Sequence, residues 1–209
     1  MNYGQKKIKE FTKIKKECFK ILGWDKYDHQ KLDADFLAEN IDEGNTRHLK
    51  DFIWRCFNML VSEHSQDFQM QSIIYKHMAR FNIDYEDGKV AESCKKLSAE
   101  ARLFYLEMNL PSIYNYRIKI AGFDCPICAP DQNKSYTLEE IKRLDLLPHK
   151  NCNCTKYGCQ CEYNLAICEN EDGSYEMNLD NMNPPKKEIN LQNEGGKTIL
   201  KIFNLFRKK

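Results

Sequence analysis

The feature that most constrains this chain is a run of cysteine and histidine residues between Cys125 and Cys168. It follows the pattern C-x2-C-x20-H-x2-C-x-C-x4-C-x-C-x6-C. Cysteines spaced so closely form either a disulfide framework or a metal site, and the choice depends on the redox compartment. The N-terminus lacks the apolar run of a signal peptide, so we expect a cytoplasmic protein with reduced thiols. The pattern therefore predicts metal ligands.

The spacing of the first five of these residues is typical of a zinc site. Structural zinc takes four Cys or His ligands in a tetrahedron, and two pairs of ligands usually come from separate segments. Cys125 and Cys128 form a C-x2-C pair that can direct two thiolates at one ion. The second pair should come from His149, Cys152 and Cys154, and the sequence leaves open which of the three take part. Iron–sulfur clusters need similar thiolates, but the histidine and the two-segment spacing favour zinc.

A second zinc ion is compatible with the remaining cysteines. Eight ligand side chains would fill two tetrahedral sites, with Cys159, Cys161 and Cys168 joining a member of the first group. The alternative is that these three are reduced thiols in or near a small core, and we favour it for Cys168. The predicted cofactor is therefore Zn²⁺, with one ion or two, and the predicted metal ligands are Cys125, Cys128, His149, Cys152, Cys154, Cys159 and Cys161.

The ligand set favours a structural metal over a catalytic one. A catalytic zinc keeps one position open for water and needs an acid or base beside it. Asp124, Asp131 and Glu162 lie close to the ligands in sequence, but acidic residues are common and their presence alone is weak evidence for catalysis. The large number of cysteines favours a closed site, in which protein ligands fill all four positions. The H-x-E motif of zinc deaminases does not occur in the chain. We predict no catalytic residue and favour a non-enzymatic role, while leaving enzyme activity open.

The rest of the chain predicts an α+β protein with a mainly helical N-terminal body. Apolar residues recur at helical spacing through the first 110 residues, and Cys18, Cys56 and Cys94 lie on these apolar faces. The alternation of apolar and polar residues at 114–120 then predicts a strand that leads to the first cysteine pair. Thr137 begins a capping-box pattern, which predicts a short helix. The predicted divisions are 1–111 (helical body), 112–168 (zinc-binding strand-and-loop module), 169–196 (flexible linker) and 197–209 (amphipathic basic helix).

The residues around the ligands resemble a known family. The sequence IKIAGFDCPICAPDQNKSYTLEE followed by LPHKNCNC resembles the zinc-binding C-terminal portion of the tailed-phage head-morphogenesis, or minor head protein, family. Cys125 and Cys128 match that family's Cys-Pro-x-Cys motif, and His149, Cys152 and Cys154 match the His and Cys positions of its Pro-His-Pro-x-Cys-Arg-Cys motif, over about residues 113–156. The resemblance implies a zinc-stabilised module of phage or prophage kind, and association with a virion.

Two function hypotheses follow from these features. The first is a zinc-stabilised, non-enzymatic binding or assembly protein with a protein partner. The second is a nucleic-acid-binding protein or small zinc-supported nuclease, because both ends of the chain are basic. Residues 1–20 carry seven lysines against two glutamates, and residues 195–209 carry five basic residues and no acid. The net charge of +1 over the whole chain gives no further support to the second. Membrane binding is not expected, because no apolar stretch approaches transmembrane length.

Overall fold

The computed structural model describes residues 3–23, 29–111, 113–122 and 125–178. Trp24, Asp124 and the predicted C-terminal helix at 197–209 lie outside the described residues. The helices of the N-terminal body are α1 (Tyr3–Leu22), α2 (His29–Ala38), α3 (Thr46–Glu63), α4 (Phe68–Tyr85) and α5 (Ala91–Met108). The following module contains β1 (Tyr116–Ala121), α6 (Ala129–Gln132), β2 (Ser135–Tyr136), α7 (Leu138–Leu144) and β3 (Glu162–Ile167). The predicted α+β class, with a helical body preceding a small sheet, is confirmed.

Local signals in the sequence explain where the helices of the body begin. The Asn45 side chain caps α3 by accepting a hydrogen bond of 3.1 Å from the His48 backbone N–H. The Asp67 side chain caps α4 in the same way, 3.0 Å from the Met70 N–H. Such caps satisfy backbone donors that have no partner inside the helix.

The core of the body is aromatic and aliphatic. Trp54 makes edge-to-face contacts with Phe57 and Phe81, at centroid distances of 6.2 and 5.6 Å. Helices α4 and α5 approach closely through two small residues: the Ser72 hydroxyl donates to the Ser98 carbonyl at 2.8 Å, and the Ser98 hydroxyl donates to the Ser72 carbonyl at 2.7 Å. The reciprocal pair satisfies both buried hydroxyls and holds the two helices together.

The module is built on a three-stranded antiparallel sheet in the order β2-β1-β3. Ile118 pairs with Tyr136 of β2 and with Leu165 of β3, and Ile120 pairs with Tyr163. Because side chains alternate across a strand, Ile118 and Ile120 share the buried face of β1. Their core also contains Leu106 of α5 and several of the cysteines.

The module packs directly on the helical body, mainly through α5. The Arg102 guanidinium donates to the Tyr163 carbonyl and to the Asn164 side chain, each at 3.0 Å. Asp84 of α4 accepts hydrogen bonds of 2.8 Å from both Lys156 and the Tyr157 hydroxyl. These contacts fix the loop that precedes β3 against α4 and α5.

Several details differ from the sequence-based expectations. Ile8, Phe104 and Met108, predicted on buried stripes, are 46%, 43% and 58% exposed. Helix α2 and strand β2 were not anticipated. Residues 169–178, the first part of the predicted linker, form a turn with two isolated antiparallel β-bridges. One bridge joins Glu169 to Tyr175, and the other joins Met177 to Tyr114.

Candidate metal centre

The first cysteine pair lies in a turn that connects β1 to α6. The backbone N–H groups of Cys128 and Ala129 donate to the Cys125 carbonyl at 2.9 and 2.8 Å. The turn curls the chain so that both thiols face the interior, where Cys125 is 2% exposed and Cys128 is fully buried. The predicted C-x2-C knuckle is thus a formed turn at the end of a strand.

One group of thiols gathers around Cys152. The Cys152 Sγ lies 3.8 Å from the Cys125 Sγ, 3.4 Å from the Cys128 Sγ and 3.2 Å from the Cys154 Sγ. Bonds of about 2.3 Å from zinc to each sulfur place the corners of a tetrahedron about 3.8 Å apart. The sulfur spacing is therefore close to that of a tetrahedral thiolate site, and Cys125, Cys128 and Cys152 lie within 4.8 Å of one another.

A second group also contains Cys128. The ligand atoms of Cys128, His149, Cys159 and Cys161 all lie within 4.8 Å of one another. His149 Nδ1 is 3.4 Å from the Cys159 Sγ. Four ligand atoms at such distances are a complete donor set for one tetrahedral ion. The two groups together form a candidate metal-binding site.

Asp131 orients the histidine of the second group. Its carboxylate lies 3.2 Å from His149 Nε2, which leaves Nδ1 facing the cysteines. We assign the proton of the ring to Nε2, because a carboxylate accepts from an N–H group. Asp131 in turn accepts hydrogen bonds from the Tyr136 hydroxyl at 3.0 Å and from Lys134 at 3.2 Å. A carboxylate behind a histidine ligand is a common supporting contact in zinc sites.

The protonation of the thiols depends on their burial and on one another. Burial raises the pKa of Cys159 to about 11 and moves the pKa of Cys128 well above its ordinary value. Burial alone would raise the pKa of Cys152 as well, but hydrogen bonds from the Cys154 backbone and from neighbouring thiols lower it to about 7. A divalent cation needs thiolates, so metal binding here would release protons.

Two glycines allow close approaches of the backbone around the ligands, one at each group. A Cβ atom on Gly122 would lie 2.5 Å from the Cys161 Sγ and 3.0 Å from the Cys161 Cα. Gly158 has φ +74°, and its Cβ would lie 2.9 Å from Lys95 Nζ and 3.2 Å from the Cys152 carbonyl. The sequence analysis missed both glycines and the role of Asp131, because these depend on contacts between distant segments.

The eighth residue of the pattern lies outside both groups. Cys168 follows β3, and its backbone N–H donates to the Asn115 carbonyl at 2.9 Å. Cys18, Cys56 and Cys94 are buried in the helical body, where burial raises the pKa of each to about 12. They are core thiols, as the apolar helix faces predict. Six of the seven predicted ligands lie in the two groups, and Cys154 lies beside the first group, next to Cys152. The structure divides them differently from the sequence order.

Comparison of the chain with protein-family models, curated proteins and solved structures finds no match. Within the site, Cys125 and Cys128 lie close to Cys152, and Cys128 also lies close to His149. None of the helices in the described part of the chain is long and apolar enough to cross a membrane. The spatial arrangement of the candidate metal ligands is therefore the basis for proposing a function.

The surroundings of the site bear on what chemistry it can do. Of the acids near the ligands in sequence, Asp131 contacts His149 and Glu162 forms an ion pair with Lys76 of α4. Both carboxylates therefore have structural partners. The ligands at the centre are buried, with His149 9% and Cys159 6% exposed. Such a site can bind a metal ion and crosslink the loops that carry the ligands.

Proposed function

We propose that this chain is a zinc-stabilised, non-enzymatic binding or assembly protein, in which structural zinc holds the 112–168 module together. The observation that carries the proposal is the convergence of five cysteines and one histidine, from the C-x2-C turn and the 145–161 loop, into two adjoining groups, with Cys154 beside them. Zinc suits this donor set, since thiolate and imidazole ligands in tetrahedral arrangement are typical of structural zinc sites. The resemblance of the motifs to head-morphogenesis proteins supports an assembly role of phage or prophage kind.

The zinc would stabilise a module that has few other sources of stability. Its core consists of a three-stranded sheet, one face of α7 and the C-terminal part of α5. The loop 145–161 has no helix or strand, yet it supplies five of the seven ligands. Metal binding to such a loop contributes directly to the free energy of folding. The rigid module could then present its outer surface to a protein partner.

Cobalt substitution tests whether the site is closed. Zinc should copurify with the full chain when no metal is added, and Co²⁺ exchanged into the site should give the absorption of tetrahedral thiolate coordination. A closed site has no exchangeable water, so azide or cyanide should leave the cobalt spectrum unchanged. Absence of zinc, or a spectrum that titrates with azide, would overturn the structural assignment.

A second candidate function, nucleic-acid binding, is supported by one surface. Lys9, Lys13, Lys16 and Lys20 are exposed on α1, and their spacing of four, three and four residues places them in one row. The row runs about 16 Å along the helix, so it could follow a phosphate backbone. Glu17 introduces an acid beside the row and pairs with Lys13 at 4.0 Å.

Salt-dependent binding tests this second candidate. The change of all four lysines to glutamine should reduce DNA or RNA affinity and flatten its dependence on salt, because fewer counterions are released. The matched control replaces four exposed lysines elsewhere: Lys31, Lys89, Lys119 and Lys142. Equal losses in both variants, or no binding by the unaltered protein at low salt, would exclude a specific role for the α1 row.

A further inference from the structure

The number of ligands in the site does not match two separate tetrahedral ions. Two such ions need eight ligand positions, and the site contains seven ligand side chains. Cys168 is the eighth candidate in the sequence, but it lies beyond β3 and belongs to neither group. Cys128 belongs to both groups. A thiolate that served two ions would supply the missing position.

We propose that the module binds two zinc ions that share the Cys128 thiolate as a bridge. One ion is bound by Cys125, Cys128, Cys152 and Cys154, and the other by Cys128, His149, Cys159 and Cys161. The proposal rests on the structural role of zinc proposed above and specifies its stoichiometry and connectivity.

The position of Cys128 is the first support for a bridge. Its Sγ is 3.4 Å from the Cys152 Sγ on one side and within 4.8 Å of the Cys161 Sγ on the other. It is fully buried, whereas Cys152, Cys154 and Cys161 are only half-buried. Cys128 thus lies between the two sets of ligands. Two bonds of about 2.3 Å to one sulfur keep the ions no more than about 4.6 Å apart, which fits one compact cluster.

We assign the fourth position of the first ion to Cys154, which lies outside the group of Cys125, Cys128 and Cys152 but next to it. Its Sγ is 3.2 Å from the Cys152 Sγ, and its thiol donates to the Gly158 carbonyl at 3.4 Å. The turn at 155–158, closed by a hydrogen bond from the Gly158 N–H to the Thr155 carbonyl, directly follows this C-x-C pair. Without a bridge, seven ligands would leave one ion with three protein ligands and a water molecule, which is the arrangement of a catalytic site.

The charges around the cluster are the second support. Two zinc ions, six thiolates and a neutral imidazole carry a net charge of about −2. The cleft next to Cys159 and Cys161 is lined by four basic residues of α4 and α5, which are Lys76, Arg80, Lys95 and Arg102. The acids among their partners are Glu162, which pairs with Lys76, and Glu92, which pairs with Lys95. The guanidinium groups of Arg80 and Arg102 bond to uncharged groups, so their charges remain available to balance the cluster.

Cadmium substitution tests the bridge in the unaltered full chain. Native mass spectrometry should show two zinc ions per chain, and the ¹¹³Cd-substituted protein should give two cadmium resonances. Each resonance should be split by coupling to the other, because a shared sulfur links the two nuclei. The Cβ protons of Cys128 should correlate with both resonances, and those of Cys125 and Cys159 with one each.

Variants and alternative outcomes complete the test. Cys168→Ser should retain two ions, and Cys128→Ser should lose the coupling between any ions that remain. Two uncoupled resonances, with the Cys128 protons correlated to one, would overturn the bridge and leave structural zinc intact. A single zinc ion per chain would also overturn the bridge and leave the structural role of zinc intact. Absence of any bound metal would overturn the proposed function together with the bridge. Because the coupling is measured on the unaltered protein, a variant that fails to fold does not affect the result.

Discussion

Among single residues, Asp131 links the metal ligands to the sheet. It accepts from His149, and also from the hydroxyl of Tyr136 on β2. Burial alone would raise the pKa of Asp131, but hydrogen bonds from Lys134 and Tyr136 lower it below its ordinary value. The carboxylate is therefore charged at neutral pH, which suits an acceptor for the ring N–H of a histidine ligand.

Replacement of Asp131 should weaken zinc binding without removing a ligand. We expect Asp131→Ala to reduce zinc affinity by about 10- to 100-fold, because His149 loses the group that fixes its ring and tautomer. Competition with a chromophoric chelator measures the affinity. Tyr136→Phe, which keeps the Asp131–His149 contact, should have a much smaller effect, and Asp172→Ala in an exposed turn should have none. Equal effects of Asp131→Ala and Tyr136→Phe would contradict the orienting role.

Gly122 provides a second prediction about a single residue. A Cβ there would collide with the Cys161 Cα as well as its Sγ, so rotation of the cysteine side chain cannot relieve the clash. Gly122→Ala should displace Cys161 and lower the zinc content by about one ion per chain, as four ligands are needed for each site. Elemental analysis and native mass spectrometry measure the content. Gly173→Ala is the control, since a Cβ at Gly173 meets nothing within 4 Å. Unchanged zinc content in Gly122→Ala would show that the backbone can move away.

At the scale of elements, α7 owes its start to a capping box. The Thr137 side chain accepts from the Glu140 N–H at 3.1 Å, and the Glu140 carboxylate accepts from the Thr137 N–H at 2.8 Å. The helix is only seven residues long, so these two bonds are a large share of its local stability. They position Leu138 and Ile141 in the core of the module.

Loss of the capping box should therefore destabilise the zinc-loaded protein. We expect Thr137→Ala to lower the free energy of unfolding by about 1 kcal/mol, which urea denaturation measures. Thr12→Ala is the control, because Thr12 is exposed in the middle of α1 and caps no helix end. A loss of the same size for both threonines would mean that the cap contributes nothing specific.

The elements that the sequence predicts best are those with strong periodicity or a cap. Helices α3, α4 and α5, strand β1 and the Thr137 cap agree closely with the pattern of residues. Helix α2 has a weakly amphipathic sequence, and β2 is two residues long, too short for alternation to be recognised. At the end of α5, Leu106 is the residue buried in the core of the module, and Phe104 and Met108 are exposed.

The candidate ligands could be predicted from the sequence, but their grouping could not. Spacing identifies residues able to bind zinc, because C-x2-C and C-x-C pairs are short and local. The division into two groups depends on how the 145–161 loop folds back over the C-x2-C turn, which brings Cys159 and Cys161 beside Cys128. That fold depends on Gly122, Gly158 and the contacts of the loop with α4 and α5. None of these long-range contacts produces a local pattern.

At the scale of the whole molecule, the described residues form two hydrophobic cores of different kinds. The first lies within α1 to α5 and includes large side chains such as Phe57, Phe81 and Trp54. The second lies in the module and includes Cys125, Cys128 and Cys159. Helix α5 belongs to both, since Cys94 and Leu97 pack in the first core and Leu106 in the second. The first core contains neither group of candidate ligands. The thiols in and around the second would be largely protonated without a metal ion, and they would then not link the 145–161 loop to the C-x2-C turn.

Removal of zinc should therefore unfold the module and spare most of the helical body. We expect a chelator to abolish hydrogen-exchange protection in β1, α7 and β3, while α3 and α4 remain protected. Protection in α5 should be lost from its C-terminal end only, around Leu106, because its first half packs in the metal-independent core. Added zinc should restore protection, and chelator already saturated with Zn²⁺ should have no effect. Uniform loss of protection along the chain would instead mean that the two cores fold as one unit. An unchanged module would mean that the sheet and its contacts with Arg102 stabilise it without metal.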